Sequence, residues 1–244
     1  MEKVLKGIVL QYIHFGETSA ILKTITKDNG ICSVLLHGVK KHGGNYGIGA
    51  VVEWQISKRY LEKNTLPKTS KYDIVENYSF GSDINKIAMR DCAFELILQV
   101  VPQENGDTFE LYNLLEKYMK YLKKSDSEIF FGFWLFCIRF AKFLGYEIDL
   151  QNCINCSNIL TDAFLSKQNG GFLCIKCHPK PNWKKEILTL LSKGGLEIYE
   201  KMQNIPIKEK ILITGQLISY IQFHCGREKK LNSFDFFCGC LSLS

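Results

Sequence analysis

The chain has 244 residues, 46% apolar and 23% charged, which excludes wholesale disorder and leaves room for two small domains or one large one. Its net charge of +6 is unevenly placed: residues 1–80 hold eleven Lys/Arg against seven Asp/Glu, the remaining 164 twenty against eighteen, so an anionic partner is expected at the N-terminal end. The longest apolar run, Ile129 to Ile138, is half of the roughly 20 residues that a membrane helix needs, and no span is expected.

Residues 1–80 read as β. Val4–Tyr12 is apolar and interrupted by Gly7, and Ala20–Thr26 and Ile31–Leu36 are short runs rich in β-branched residues. Between the latter two lies Lys27-Asp28-Asn29-Gly30, whose Asn-Gly is a hairpin signal. Val51–Ser57 alternates, with Val52, Trp54 and Ile56 on the face destined for the core, and a fifth strand is expected over Lys71–Tyr78. Five short strands in this length suit a small, partly open barrel; the OB-fold is the commonest such architecture, with an SH3-like barrel as its competitor. The glycine run Gly43–Gly49 has no following Lys-Ser pair or helix start, so it reads as an inter-strand loop and not as a phosphate cradle.

From Ser82 the apolar period becomes helical. Ser82 is placed to cap a helix through Val100, which Pro102 stops. Asp107 followed by Glu110 resembles a capping box for a second helix to Lys124. A third, Ser127–Leu144, is apolar on almost every side and should be a buried axis ended by Gly145. Later helices are expected at Trp183–Ser192, Leu196–Gln203 and Glu209–Cys225.

Between the third and fourth helices lie Cys153-x-x-Cys156 and Cys174-x-x-Cys177, separated by 17 residues. Each pair presents two thiolates from one turn, and two such turns enclose a tetrahedral ion, so the spacing predicts one zinc. Four sulfurs close the shell, which makes the ion structural; His178, beside Cys177, is the alternative ligand to one thiolate, but the four sulfurs already complete the shell. Cys32, Cys92, Cys137, Cys225, Cys238 and Cys240 are scattered among apolar neighbours and read as packing. With no signal-peptide pattern in the first residues, a reducing cytoplasm is expected.

Nothing supplies an enzyme's chemistry: no histidine pair at metal spacing, no phosphate loop and no dinucleotide fingerprint. The β region offers binding chemistry instead. Lys23, Lys27, Lys40, Lys41, His42, Lys58, Arg59, Lys68 and Lys71 fall at strand ends and loops, interleaved with Tyr12, Phe15, Tyr46, Trp54 and Tyr60. Cations that track phosphates and rings that stack bases make a single-strand-binding surface. Lys40-Lys41-His42 and Lys58-Arg59 are its strongest candidates; Trp54 is expected in the core.

Several motifs then converge on one resemblance. Lys6-Gly7-Ile8-Val9-Leu10, Phe15-Gly16-Glu17-Thr18-Ser19-Ala20-Ile21-Leu22, Thr26-Lys27-Asp28-Asn29-Gly30 and His37-Gly38-Val39-Lys40-Lys41 resemble the opening of the RecO recombination-mediator family. The paired CxxC module and a late Tyr220-x-x-x-x-His224-x-Gly226-Arg227-x-x-Lys230-x-x-Ser233 stretch match its later parts, in the same order. The basic stretch after the third strand is reduced here to Val39-Lys40-Lys41-His42.

The resemblance implies an α+β, multi-domain protein: a five-stranded OB-fold barrel (residues 1–80), then an α-helical domain (81–244) carrying an inserted zinc module at 150–180. It implies a non-enzymatic, cytoplasmic and nucleoid-associated mediator. Such a protein binds single- and double-stranded DNA, anneals complementary strands and engages the acidic C-terminal tail of SSB. With RecR it helps load RecA. Arg139, Lys142 and Arg227 are candidates for partner binding, and Lys40, Lys41, Lys58 and Arg59 for phosphate contacts. The competing readings are a zinc-ribbon adaptor with a peptide-binding barrel and a DNA-modifying enzyme without a recognisable motif.

Overall fold

In the computed structural model, which describes residues 2–39, 47–57, 66–102, 107–124, 128–193 and 198–242, the chain divides into two compact units, 1–119 and 120–244.

The first unit is built on a six-stranded sheet: β1 (Glu2–Phe15), β2 (Ser19–Thr26), β3 (Ile31–Leu36), β4 (Ala50–Ser57), β5 (Lys68–Thr69) and β6 (Tyr72–Asn77). The order is β5-β3-β2-β1-β4-β6, antiparallel except for β3 with β5. The five expected strands are present, and the two-residue β5 is additional. Because β5 and β6 are consecutive, residues 68–77 border β3 at one edge and β4 at the other, which curls the sheet into a partly open barrel. Alternation fills its inside: Ala20, Leu22, Val34, Leu36, Ala50 and Val52 are fully buried, and Trp54 is 1% exposed. Gly7 is required here, since a Cβ would come within 3.0 Å of the Trp54 ring and 2.9 Å of Thr24. At the β2–β3 turn Gly30 takes φ 68°, with Thr26 N–H donating to its carbonyl (3.0 Å).

Helix α1 (Ile84–Val100) packs in this unit through a buried charge. Arg90, 5% exposed, donates Nη1 to the carbonyls of Ile48 (3.0 Å) and Tyr78 (2.9 Å) and Nε to Asp91 (2.8 Å). Gly49 makes room for it: φ is +91°, and a Cβ would meet Tyr78 O at 2.7 Å and Arg90 Nη1 at 3.1 Å. The α1 cap is Asp83, not Ser82 as expected, and accepts from Lys86 N (3.0 Å). Phe80 and Gly81, at φ 57° and 58°, form the preceding turn and set that register. Helix α2 (Phe109–Lys123) begins with Asp107 accepting from Phe109 N (3.0 Å) and Thr108 donating to Thr26 O (2.6 Å).

In the second unit, α3 (Ile129–Phe143) is the apolar axis expected, with Phe133, Trp134, Cys137 and Phe140 fully buried. Gly145 (φ +87°) ends it: its N–H donates to Lys142 O (3.0 Å) and that of Tyr146 to Ala141 O (2.8 Å), a Schellman closure. A hairpin of β7 (Ala163–Ser166) and β8 (Gly171–Cys174) follows, then α4 (Lys185–Lys193), α5 (Ile198–Gln203), α6 (Ile207–His224) and α7 (Asn232–Ser242). Helix α7 goes beyond the expected elements; Phe237, fully buried, holds it edge-on against Phe130 of α3 (5.5 Å). Among the described residues, no helix is long and apolar enough to cross a membrane.

Candidate metal centre and nucleic-acid face

The four sulfurs of Cys153, Cys156, Cys174 and Cys177 lie within 4.8 Å of one another. Local hydrogen bonding makes each knuckle. In the first, Ser157 N–H donates to Cys153 O (2.9 Å) and Cys153 N–H to Asn158 O (2.9 Å), with Ser157 in the left-handed region (φ 57°). In the second, Cys177 N–H and His178 N–H both donate to Cys174 O (3.0 and 2.8 Å). Asp149 holds the entry to the first knuckle, accepting from Gln151 N (2.7 Å), Asn152 N (3.1 Å) and Asn152 Nδ2 (3.0 Å). Ile154 N–H donates to Phe172 O (2.9 Å), tying that knuckle to the hairpin.

Sulfurs at about 2.3 Å from a tetrahedral ion are about 3.8 Å apart. The Cys156–Cys174 pair, at 3.6 Å, fits that edge. Cys174 N–H donates to Cys153 Sγ (3.3 Å) and Asn155 Nδ2 to Cys177 Sγ (3.3 Å), as thiolates require. Burial opposes ionisation of Cys153, but backbone N–H groups of Cys174, Cys156 and Asn155 bring it down to about 6. Cys156, despite an N–H from Asn158, is pushed up to about 12, chiefly by the Cys177 thiol. Four thiols this close cannot all ionise without a cation among them, so the group fits one metal ion. His178 does not turn to it: its ring stacks on Phe164 (3.9 Å).

The hairpin is fixed to the helices of its unit at both ends. At its base, Trp183 N–H donates to Ala163 O (2.9 Å) and Trp183 packs edge-on to Phe172 (5.0 Å). The same indole contacts Trp134 (6.4 Å) and donates Nε1 to Gln216 of α6 (2.7 Å). At its tip, Tyr220 donates to Gly170 O (3.0 Å), and His224 stacks with Tyr146 (4.8 Å) while a ring N–H donates to Lys167 O. Lys167 forms an ion pair with Glu228 and lies 5.0 Å from the Phe223 ring centre. The late Tyr220–His224 motif thus clamps the cysteine hairpin, a role that its spacing alone did not reveal.

Of the candidate phosphate contacts, Lys40, Lys41, His42, Lys58 and Arg59 lie outside the described residues. Lys23 is half-buried in β2, opposite Gln11 and Ser33. Lys27 is exposed at the β2–β3 turn over the rings of Phe109 (5.8 Å) and Tyr112 (5.3 Å). Arg139, Lys142 and Arg227 are all exposed, and Lys142 is paired with Glu147 (2.7 Å). None of these three lines the groove between α4 and α5. That groove, of 680 Å³, has Ile187, Leu190 and Ile205 on its floor and Lys185, Lys193 and Lys201 on its rim.

Two family models match the chain consecutively: "Recombination protein O N terminal" over residues 1–78 and "Recombination protein O C terminal" over residues 81–233. Among similar curated proteins, the DNA repair protein RecO of Alkaliphilus metalliredigens is 24% identical, over 91% of this chain and 93% of its own. That of Pelotomaculum thermopropionicum is 26% identical over 93% and 91%, and that of an Exiguobacterium species 20% over 92% and 91%.

Proposed function

The chain belongs to the RecO family of DNA repair and recombination proteins, and from that premise we propose that it is a recombination mediator without catalytic turnover. It binds single- and double-stranded DNA on its barrel, anneals complementary strands and, with RecR, helps load RecA onto single strands coated by SSB. The observation that carries this reading is the consecutive match of both family models to a chain whose N-terminal part is a partly open barrel with a basic surplus. In such barrels the face of the second and third strands and the loops at its edge receive oligonucleotides. Lys23 lies on that face, and Lys40, Lys41, His42, Lys58 and Arg59 follow β3 and β4 in sequence.

The metal is zinc, bound by Cys153, Cys156, Cys174 and Cys177, and its role is structural. An all-sulfur tetrahedral shell selects zinc over hard cations and leaves no position for a substrate. The acidic, apolar-ended tail of SSB docks in the groove of α4 and α5, where three rim lysines meet its carboxylates and the apolar floor takes its end.

The adaptor reading draws on one observation: Ile154, Ile175 and Ile159, on and beside the two knuckles, are 52%, 49% and 80% exposed. An annealing assay separates the two. Complementary oligonucleotides coated with SSB should pair faster when the protein is added; an unchanged pairing rate, with the protein still capturing peptide partners, favours the adaptor.

A further inference from the structure

We propose that the outer face of the β1–β2 hairpin is a stacking platform for unpaired bases, with Phe15 as its ring, and that it gives the barrel a preference for single strands over duplex. This rests on the DNA-binding reading above.

Strand β1 is longer than its partner on one side. It pairs with β4 only over Glu2–Ile8, so Gln11–Phe15 is held by β2 alone, beyond a register shift between Val9 and Gln11. In this arm the pairs are Gln11↔Lys23, Tyr12↔Leu22, Ile13↔Ile21, His14↔Ala20 and Phe15↔Ser19. Leu22 and Ala20 are fully buried in the barrel core, which puts Tyr12 and His14 on the core side of the hairpin, Tyr12 packed against the core and His14 exposed beyond its edge. Gln11, Ile13 and Phe15 therefore share the opposite face with Lys23, Ile21 and Ser19. Folding leaves Phe15 53% and Ile13 38% exposed there.

An exposed phenylalanine, a flanking isoleucine and, four residue pairs from the phenylalanine on the same face, a lysine match what a single strand offers: flat apolar bases joined by phosphates. Ser19 Oγ lies 3.2 Å from His37 Nδ1, which adds a polar group beside the ring. Glu17, at the exposed tip of the turn, repels phosphate and leaves the Lys23 side as the track for the backbone. Duplex DNA keeps its bases stacked inside, so it gains from Lys23 but not from Phe15.

Anisotropy titrations of Phe15→Ala, Phe15→Leu and Phe15→Tyr with a labelled single strand and with a duplex test this. Stacking is worth roughly 1–3 kcal/mol per base, so the Ala and Leu variants should lose about 5- to 150-fold in single-strand affinity. Phe15→Tyr should retain it, duplex affinity should stay within about twofold, and the salt slope should not change, because no phosphate contact is removed. Single-strand affinity unaltered in Phe15→Leu, or an equal loss on duplex, overturns the platform. A wild-type protein that binds neither form overturns the DNA-binding reading itself.

Discussion

Tyr220, near the end of α6, donates its phenol hydrogen to the backbone carbonyl of Gly170 at the tip of the cysteine hairpin (3.0 Å). One hydrogen bond thus joins the two motifs that come last in the sequence. With Trp183 at the hairpin base and Lys167 at its tip, it makes the metal module part of the helical unit's framework.

Trp183→Ala should destabilise the second unit by about 3–5 kcal/mol, since it removes a ring that is 1% exposed and packed against Phe172 and Trp134. Tyr220→Phe, which deletes the bond to Gly170 O and the longer contact with Tyr146 O (3.5 Å), should cost about 0.5–1.5 kcal/mol. Chemical denaturation followed by intrinsic fluorescence measures both. A Trp183→Ala protein as stable as the wild type would contradict the brace.

Metal analysis should find one zinc per chain, and Cys153→Ser or Cys174→Ser should lose it. Because the shell is closed, zinc loss should loosen the second unit while single-strand binding by the barrel stays within about twofold. Metal loss that spared folding but abolished DNA binding would place the ion at the DNA and not in the framework.

Burial among Tyr146, Tyr220 and Phe223 lowers the His224 pKa, although the bond to the Lys167 carbonyl favours the protonated ring. With the folded value below the unfolded value of about 6.5, the unfolded chain takes up its proton first as pH falls. Stability of the second unit should therefore decline from about pH 6.5 downwards, until the folded-state pKa is passed. His224→Gln should flatten that part of the profile; an identical pH dependence in the variant would remove His224 as its source.

In the first unit, Arg90→Ala should cost about 2–4 kcal/mol, because the carbonyls of Ile48 and Tyr78 lose a charged donor at a buried site. Gly49→Ala should also destabilise, since its Cβ has no room beside Tyr78 O. Thermal unfolding of the two variants measures the effect, and a wild-type midpoint in either would refute this packing.

Local signals made much of this legible from the chain itself. Asn29-Gly30 marked a hairpin whose glycine does adopt positive φ, Gly145 marked a helix end, and the spacing of the cysteines brought four sulfurs together. Long-range polar pairings were not legible. Arg90 looks like any helix cation until the carbonyls of Ile48 and Tyr78, 42 and 12 residues away, are seen to need a donor. The α1 cap also escaped, because Ser82 and Asp83 are both competent and only the positive-φ turn at Phe80–Gly81 selects between them. The Tyr220–His224 motif could be read as a pattern but not as a clamp, since its partners at Gly170 and Lys167 lie 50 or more residues earlier.

Alanine at Lys40, Lys41, Lys58 and Arg59 together should weaken single-strand and duplex binding alike, through lost counterion release. If all four contact phosphates, the single-strand salt slope should fall by about 3. An unaltered slope would move the phosphate contacts elsewhere on the barrel.

The measurement that bears most directly on the whole account is the affinity of the unmodified protein for a labelled single strand over a series of salt concentrations. A RecO-type mediator with a basic barrel should bind tightly at low salt and lose affinity linearly in the logarithm of salt concentration. No binding to any oligonucleotide, even at the lowest salt, would contradict it.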